Sequence, residues 1–412
     1  MSFVDRIRAS RLMAAAGLDA LVIAEPEGFS TVTGASQGVA GLFRRAGAGF
    51  AVLPADPALP IGAVVGDLFA AAARERVPDA RSHPLWMEQV DVSGWTNGPI
   101  ENRIAAAWRR DGRAPGFARP ATFDLGLALA ALRAVLDERG LARSRLGFDL
   151  DYVAASDAAV IAAALPEARV LNGSPAFDRL RMVKTPAEIA KLRLGAELAE
   201  AGLRRMATTV AAGQTAADLH ATFRAGVEAD ASRRGVPAPP SWDYIAIGPD
   251  PWRPGGRVAP GTVIKADVGC VVDGYSSDTS RNYVFAAPTP DQARLHGIIE
   301  AAFDTGFAAI RPGATLGDVH RITTAALEGA GLAGFSRGHF GHGLGHSFFS
   351  EQWPFITAGS DIVIEPDMVL AFEVPLYATG IGGFNLEDQL IVTEDGARSM
   401  NTLPRTLAIL GA

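Results

Sequence analysis

Cysteine is nearly absent from the sequence, since Cys270 is the single one among 412 residues. This excludes an intramolecular disulfide and a zinc site built on several thiolates. Cys270 itself lies in an apolar segment, which indicates that it packs in a core.

Long apolar runs are also missing, and the longest ones, such as residues 158–165, are too short to span a bilayer. The N-terminus lacks the basic start and apolar stretch of a signal peptide. The chain has no run of basic residues and a net charge of −7, so it offers no basic surface to nucleic acid. We therefore expect a cytoplasmic protein with neither a membrane nor a nucleic-acid partner.

The sequence does contain enough apolar residues for two hydrophobic cores. Hydrophobic residues make up 48% and charged residues 20% of the chain, which is typical of a globular protein. Helices alternate with strands in the predicted pattern, which indicates an α/β (α+β) fold. We predict one domain over residues 1–172 and another over 178–412. The first helix of the second domain begins at Thr185-Pro186-Ala187-Glu188, a capping box with proline in the first helical position.

The predicted helices are 6–16, 67–76, 125–139, 155–164, 185–204, 215–232, 291–310 and 316–330, and the predicted strands are 18–24, 49–53, 145–149 and several within 368–393.

Two aspartates occupy a predicted β-hairpin over residues 263–285, whose turn is expected at Asp273-Gly274. Asp267 and Asp278 would lie on its two arms, where their side chains could be neighbours across the strands. Either aspartate alone is better explained as a residue that caps a turn. Their spacing becomes informative only together with the acidic residues further along the chain.

A lone histidine follows in the segment Gly341-His342-Gly343-Leu344-Gly345. Its glycines let the backbone approach closely and leave the imidazole accessible. Alternate glycines can also bind phosphate, but this spacing does not match the Walker or dinucleotide motifs. Glu373 ends one apolar run and Glu387 precedes another. An acid in such a position is costly to bury without a partner, and a cation is the simplest partner.

Together these residues form the predicted metal-binding set, Asp267, Asp278, His342, Glu373 and Glu387. Four carboxylates have about four negative charges, and without metal their repulsion would force at least one to bind a proton. Two divalent ions would balance them. Oxygen ligands with one imidazole suit manganese, iron or cobalt as well as zinc. Water bridging two such ions loses a proton near neutral pH and becomes a nucleophile.

The order and spacing of these residues resemble the pita-bread metallopeptidases, which include aminopeptidase P, prolidase, methionine aminopeptidase and the non-peptidase creatinase. The family pattern D-x-G-x-x-x-x-G-Y-x-S-D matches residues 267–278, and G-H-G-x-G matches 341–345. E-x-P matches 373–375, and E-D-x-x-x-V-T-E-D-G matches 387–396. The resemblance implies a creatinase-like N-terminal α/β domain, a pita-bread catalytic domain, a homodimer, and Glu373 as the acid/base residue.

The chain departs from the family pattern in the residues that hold substrate and transfer protons. Phe349 stands where the peptidases have a second histidine, and Asn385 stands where prolidases have an arginine. The loop over residues 249–257 has no histidine, although the family usually has one there. His339 and His346 are candidates to bind substrate or transfer protons in their place. The candidate substrate-binding residues are Phe349, Arg337, Arg253, Trp353 and Tyr244, with Phe348 beside them.

Several functions are compatible with these observations. The first hypothesis is a dinuclear-metal hydrolase that cleaves a C–N bond in a small substrate, similar to an Xaa-Pro dipeptidase or aminopeptidase. The departures favour a second one, a non-peptidase hydrolase or lyase acting on a small metabolite, creatinase-like or dimethylsulfoniopropionate-lyase-like. A non-catalytic scaffold would be expected to have lost ligands, and all five are present.

A serine hydrolase is a further alternative, because residues 34–38 fit the motif G-x-S-x-G around Ser36. That motif requires a strand before it and a helix after it. The preceding residues 29–33 are weakly strand-like, and the following segment is rich in glycine.

Overall fold

The computed structural model describes residues 4–253, 255–347 and 349–411. They form two compact units that divide between Leu180 and Arg181. The division lies beyond residue 172, the predicted end of the first domain, because Ser174–Arg181 is a helix. Its Phe177 and Leu180 pack in the core of the first unit.

The first unit has one mixed sheet, with helices that pack on it. Its helices are α1 (Arg6–Ala16), α2 (Pro26–Thr33), α3 (Ala70–Arg74), α4 (Ile100–Arg110), α5 (Leu125–Glu138), α6 (Ala155–Ala164) and α7 (Ser174–Arg181). Its strands are β1 (Ala20–Ile23), β2 (Gly49–Pro54), β3 (Gly62–Gly66), β4 (Arg81–His83), β5 (Arg145–Phe148) and β6 (Arg169–Asn172), in the order β4-β3-β2-β1-β5-β6. The buried strands β1, β2 and β3 contribute to two apolar cores.

The weak strand expected over residues 29–33 is wrong, because those residues belong to α2. Pro26 begins this helix, where its missing N–H is no loss, and Gly34 ends it in the left-handed conformation at φ 70°. Ser36 is therefore preceded by a helix and followed by the 3-10 helix Gly38–Phe43. The strand-turn-helix geometry of a serine nucleophile is not formed there, which removes the serine-hydrolase alternative.

The second unit contains four long helices and a large sheet. The helices are α8 (Pro186–Thr209), α9 (Ala216–Arg234), α10 (Pro290–Ala309) and α11 (Leu316–Gly329). The strands are β7 (Ser241–Asp243), β8 (Ala246–Ile247), β9 (Val263–Val272), β10 (Tyr275–Ser276), β11 (Thr279–Phe285), β12 (His339–Gly343), β13 (Gln352–Thr357), β14 (Val369–Ala378), β15 (Gly382–Thr393), β16 (Gly396–Ser399) and β17 (Ala408–Leu410). The main path of the sheet is β10-β9-β11-β15-β14-β12-β13.

Each of the four helices begins at a threonine whose side chain accepts from the backbone three residues later, in a capping box. The predicted box of Thr185 and Glu188 is one of them. Such a cap satisfies backbone N–H groups that have no partner within the helix. The local sequence therefore determines where these helices begin.

The strands of this sheet alternate between an apolar face and a polar face. Phe372 and Val374 of β14, with Leu386 of β15, belong to the core that contains residues of α10 and α11. Cys270 of β9 is buried in the neighbouring core that contains residues of α8 and α9, as the sequence indicates. Because side chains alternate along a strand, the residues between them face the other way. That second face contains the predicted metal ligands. Among the described residues, every helix is too short or too polar to cross a bilayer.

Candidate metal centre

Three of the predicted ligands lie in one row across four neighbouring antiparallel strands. Asp267 on β9 is opposite Ser280 on β11. Ser280 is also opposite Glu387 on β15, and Glu387 is opposite Glu373 on β14. Residues directly opposite each other in antiparallel strands point to the same face of the sheet. The strand register therefore brings together three carboxylates that are far apart in sequence.

The other two predicted ligands reach the same face from neighbouring positions. Asp278 lies two residues before Ser280 at the entry of β11. His342 on β12 is opposite Ala371, which lies two residues before Glu373 on β14. A step of two residues along a strand keeps the side chain on one face. Register and alternation thus assemble all five residues.

Glycine beside His342 allows β12 to lie close to β14. Gly341 has φ 123°, and a side chain there would place its Cβ 2.0 Å from the carbonyl oxygen of Ala371. Gly341, His342 and Gly343 all pair with β14. The glycine-rich segment is thus part of a strand, which does not suit it as a phosphate-binding loop.

Asp278, His342 and Glu387 form the tightest group. One ligand atom from each lies within 4.8 Å of the others. His342 Nε2 is 3.7 Å from Asp278 Oδ2 and 3.9 Å from Glu387 Oε1. His342 Nδ1 is 3.0 Å from the carbonyl oxygen of Gly343. Because a carbonyl only accepts, Nδ1 has the proton and the Nε2 lone pair faces the two carboxylates, as in many metal-binding histidines.

Burial and like charges make this group unfavourable without a cation. Burial and the charges of Asp267 and Glu373 raise the pKa of Asp278 well above its usual range. Burial and the charges of Asp278 and Glu373 do the same to the pKa of Glu387. Burial lowers the pKa of His342 to about 4 and keeps it neutral. Asp278 Oδ1 is buried and has no hydrogen-bond partner among the described residues. This donor set fits a divalent metal ion.

Glu373 is held by two hydrogen-bond donors. Arg337 Nη2 donates to Glu373 Oε1 at 2.5 Å. Asn385 Nδ2 donates to Glu373 Oε2 and also to Glu387 Oε2, each at 3.2 Å. Asn385 lies directly opposite Pro375 on β14, two residues from Glu387 along β15. The residue that departs from the prolidase pattern thus bridges two of the predicted ligands.

Asp267 has a cation as its neighbour. Lys265, two residues earlier on β9, places its Nζ 3.0 Å from Asp267 Oδ2. The same Nζ lies 5.8 Å from the centre of the Tyr377 ring. Lys265 is 5% exposed, so its ammonium belongs to the interior of the site.

The five predicted ligands, Asp267, Asp278, His342, Glu373 and Glu387, all line a cavity of about 120 Å³. Three of the predicted substrate-binding residues, Arg337, Tyr244 and Phe349, also line it. The remaining lining residues were not predicted, and they are Trp242, Ser350, Glu351 and Tyr377.

Two other predicted substrate residues are outside the lining. Arg253 is exposed in the loop before β9. Trp353 lies on β13 and packs against the core of α10 and α11. Phe348 lies outside the described residues.

The two histidines predicted to transfer protons lie in different surroundings. His339 Nδ1 is 3.6 Å from Glu373 Oε1, and its Nε2 is 3.7 Å from Glu351 Oε2. The backbone N–H of Gly341 donates to His339 Nδ1 at 3.2 Å, so the neutral ring has its proton on Nε2. His346 instead stacks on Tyr275, with ring centres 5.1 Å apart. The structure therefore brings His339, and not His346, next to a ligand carboxylate.

Strand alternation is the signal that could have identified some of the site residues that the sequence analysis missed. Lys265 is two residues from Asp267, and Tyr377 is four residues from Glu373. Both therefore point to the face of the ligands. Trp242 had no such signal, because it reaches the cavity through the pairing of β7 with β9 opposite Gly269.

Comparison with known proteins supports the same fold and chemistry. Residues 190–394 match the model of metallopeptidase family M24, and residues 6–183 match the creatinase/prolidase N-terminal domain. The probable dipeptidase PepE of Mycobacterium tuberculosis H37Rv is 31% identical over 287 residues, which are 66% of this chain and 74% of that protein. The Xaa-Pro dipeptidase of Lactobacillus helveticus is 29% identical over 254 residues, 60% of this chain and 67% of that protein.

Solved structures are similar over almost the whole chain. Dipeptidase PepE from Mycobacterium ulcerans has a TM-score of 0.73 at 24% identity, covering 98% of this chain and 96% of that one. An Xaa-Pro dipeptidase from Bacillus anthracis has a TM-score of 0.74 at 19% identity, covering 98% of this chain and 100% of that one. These likenesses show a shared fold.

Proposed function

Because the chain belongs to metallopeptidase family M24, we propose that it is a metal-dependent dipeptidase that hydrolyses short peptides, with Xaa-Pro dipeptides among its substrates. Its second unit has the pita-bread fold, and its first unit is the creatinase-like N-terminal domain. The chain is accordingly a metal-dependent hydrolase of the metallopeptidase type. The observation that carries the proposal is the meeting of all five predicted ligands around one small polar cavity.

The five predicted ligands would hold the metal in this proposal. Asp278, His342 and Glu387 form its central site, and Asp267 and Glu373 flank it. The full set of five would bind two ions at full loading, and its donors suit manganese, iron, cobalt or zinc. When bound, a divalent cation supplies Lewis-acid activation of the peptide carbonyl and of water.

The other residues of the cavity would bind substrate and move protons. Glu373 is placed to accept a proton at a carboxylate oxygen, and Arg337 stabilises its negative charge at 2.5 Å. His339 lies beside Glu373 and would hold its Nε2 proton toward Glu351. Phe349 and Tyr244 offer an apolar surface at the rim, since 49% and 58% of their surfaces are exposed.

A non-peptidase hydrolase or lyase acting on a small metabolite is not favoured, because the similar proteins are named as dipeptidases. The homodimer and the cytoplasmic location stay predictions from the sequence.

The experiment is metal analysis of the purified protein, followed by hydrolysis assays on Xaa-Pro dipeptides, other dipeptides and small zwitterionic metabolites. We expect bound divalent metal and turnover of dipeptides. Glu387→Gln should lose the metal and at least about 100-fold of the activity, because it removes a ligand of the central site.

Glu394→Gln is the matched control, since Glu394 is an exposed acid just beyond the end of β15. It should retain both metal and activity. A wild-type protein that hydrolyses dipeptides without bound metal, or one that turns over only the metabolites, would contradict the proposal.

A further inference from the structure

Lys265 is a buried cation within the candidate metal centre. Its ammonium is 3.0 Å from Asp267 Oδ2 and faces the ring of Tyr377. Only 5% of the residue is exposed. A buried ammonium is stable when a carboxylate and further polar or aromatic groups surround it. Ile264 and Ala266, on either side of Lys265 in β9, pack in the apolar core. Because side chains alternate along a strand, Lys265 points to the opposite face, which contains the predicted ligands.

The ligands divide into those that have a cationic partner and those that do not. Asp267 is paired with Lys265, and Glu373 is paired with Arg337. Asp278 and Glu387, in contrast, have no lysine or arginine within salt-bridge distance among the described residues. These two, with neutral His342, are the group whose ligand atoms converge within 4.8 Å.

The count of charges in the centre agrees with this division of the predicted ligands. The four carboxylates would need two divalent ions if they were alone. Lys265 and Arg337 together neutralise two of the four negative charges, and the remaining two equal the charge of one divalent ion. A second ion beside Asp267 would come close to the ammonium of Lys265, where like charges repel strongly because little water screens them.

We infer that Lys265 takes the place of a second metal ion beside Asp267, so that this centre holds one divalent ion firmly on Asp278, His342 and Glu387. The inference rests on the metal centre of the proposed function and specifies its loading. A second ion binds only when it displaces the ammonium from Asp267. The protein at low metal concentration is therefore a one-ion form.

The first test counts the ions in the wild-type chain. The protein is freed of metal with a chelator, equilibrated with Mn²⁺ at increasing concentration, and analysed by native mass spectrometry and elemental analysis. We expect one Mn²⁺ per chain over at least about a tenfold range of concentration before a second one binds. Electron paramagnetic resonance should show isolated Mn²⁺ over that range. Two ions that bind together, with the resonance of a coupled pair, would overturn the inference.

The second test changes the charge at residue 265. Lys265→Met removes the ammonium and keeps most of the side-chain volume, so the affinity for the second Mn²⁺ should increase about tenfold or more. Lys265→Arg keeps the charge and should still bind one ion first. Unchanged loading in Lys265→Met would show that the lysine is only a structural partner of Asp267, which also overturns the inference.

Lys191→Met is the matched control. Lys191 likewise pairs with an aspartate, Asp273 at 3.2 Å, and lies 5.1 Å from the ring of a tyrosine, Tyr275, but Asp273 is not a predicted metal ligand and does not line the cavity. Its loss should leave metal loading unchanged. If Lys265→Met does not fold, the ion count in the wild-type protein still tests whether the centre binds one ion before a second.

Failure of the inference and failure of the proposed function give different results. If an active dipeptidase binds two ions with equal affinity, only the role inferred for Lys265 is overturned, and the proposed function stands. Absence of any bound ion in an active protein overturns the metal-dependent function, and with it the inference.

Discussion

The Asn385 side chain is the clearest case of one residue organising two others. Its amide nitrogen donates to Glu373 Oε2 and Glu387 Oε2. Its own backbone N–H donates to Asn282 Oδ1 at 3.0 Å, which connects it to β11. A neutral donor between two carboxylates reduces their repulsion and fixes their orientation before metal binds.

We predict that Asn385→Ala weakens metal binding about 10-fold to 100-fold, the usual effect of removing a residue that orients ligands. Isothermal titration of Mn²⁺ into the metal-free protein measures this change. Asn401→Ala is the control, because Asn401 Nδ2 donates to Thr279 Oγ1 and not to a ligand carboxylate. Equal affinities of the wild type and Asn385→Ala for Mn²⁺ would show that Glu373 and Glu387 do not need Asn385 to be correctly oriented.

At the scale of single residues, the sequence identified the five acidic and histidine residues that cluster around the cavity better than it identified their neighbours. These predicted ligands occur in motifs with fixed spacing, so a linear pattern reveals them. The partners of Asp267 and Glu373 do not share a motif with them. Arg337 reaches Glu373 across 36 positions of sequence, and only the folded chain determines that they meet.

Among the elements, the contact between α8 and α9 depends on glycine. Gly226 of α9 faces Gly202 of α8, and a Cβ on Gly226 would lie 2.8 Å from Gly202 Cα and 3.0 Å from the carbonyl oxygen of Ala201. These atoms belong to backbone and cannot rotate away. The helices therefore approach each other more closely than residues with side chains would allow.

We expect Gly226→Ala to lower the free energy of unfolding by about 1–3 kcal/mol, since overpacking forces the helices apart. Gly297→Ala is a control of opposite sign. Gly297 lies in α10, where an added Cβ would meet nothing within 4 Å, so alanine should stabilise the helix by about 0.5–1 kcal/mol. Urea unfolding followed by tryptophan fluorescence measures both. A Gly226→Ala protein as stable as wild type would contradict the close contact.

Helices with strong local signals were predicted almost to their ends, and short strands were not. Four threonine capping boxes mark the starts of α8, α9, α10 and α11, and three of these helices also end within a few residues of their predicted ends. The helix α8 extends to Thr209, beyond the predicted residue 204. The strands β12 and β13 are short and contain glycine or proline, so their sequence has little strand character. Pairing of β12 with β14, and of β13 with β12, makes them strands.

For the whole molecule, family resemblance predicted the fold, while local pattern alone gave only the general class. The eleven-stranded sheet joins residues from 241 to 410, and its register depends on contacts between distant segments. The resemblance supplied this arrangement because relatives already adopt it. It did not supply Lys265, which places a positive charge beside Asp267, and it marked Asn385 only as a departure, whose hydrogen bonds to Glu373 and Glu387 the fold revealed.

The charge within the centre also couples metal binding to the stability of the whole protein. The raised pKa values of Asp278 and Glu387 mean that the folded metal-free protein binds protons that the unfolded chain releases. Its stability therefore falls as pH rises above their ordinary values of 3.8 and 4.5. The lowered pKa of His342 acts in the opposite sense, but only between about 4 and 6.5.

We therefore predict that the stabilisation by bound Mn²⁺, measured as the difference in melting temperature between metal-loaded and metal-free protein, increases from about pH 5 to about pH 8. The metal replaces the protons of Asp278 and Glu387, and this exchange becomes easier as protons become scarce. Taking the difference cancels groups that do not contact the centre, such as buried Lys184, whose pKa is lowered by burial to about 7. The double variant Asp278→Asn with Glu387→Gln should show no such increase. A stabilisation that stays constant over this range in the wild type would mean that the carboxylates are already ionised without metal.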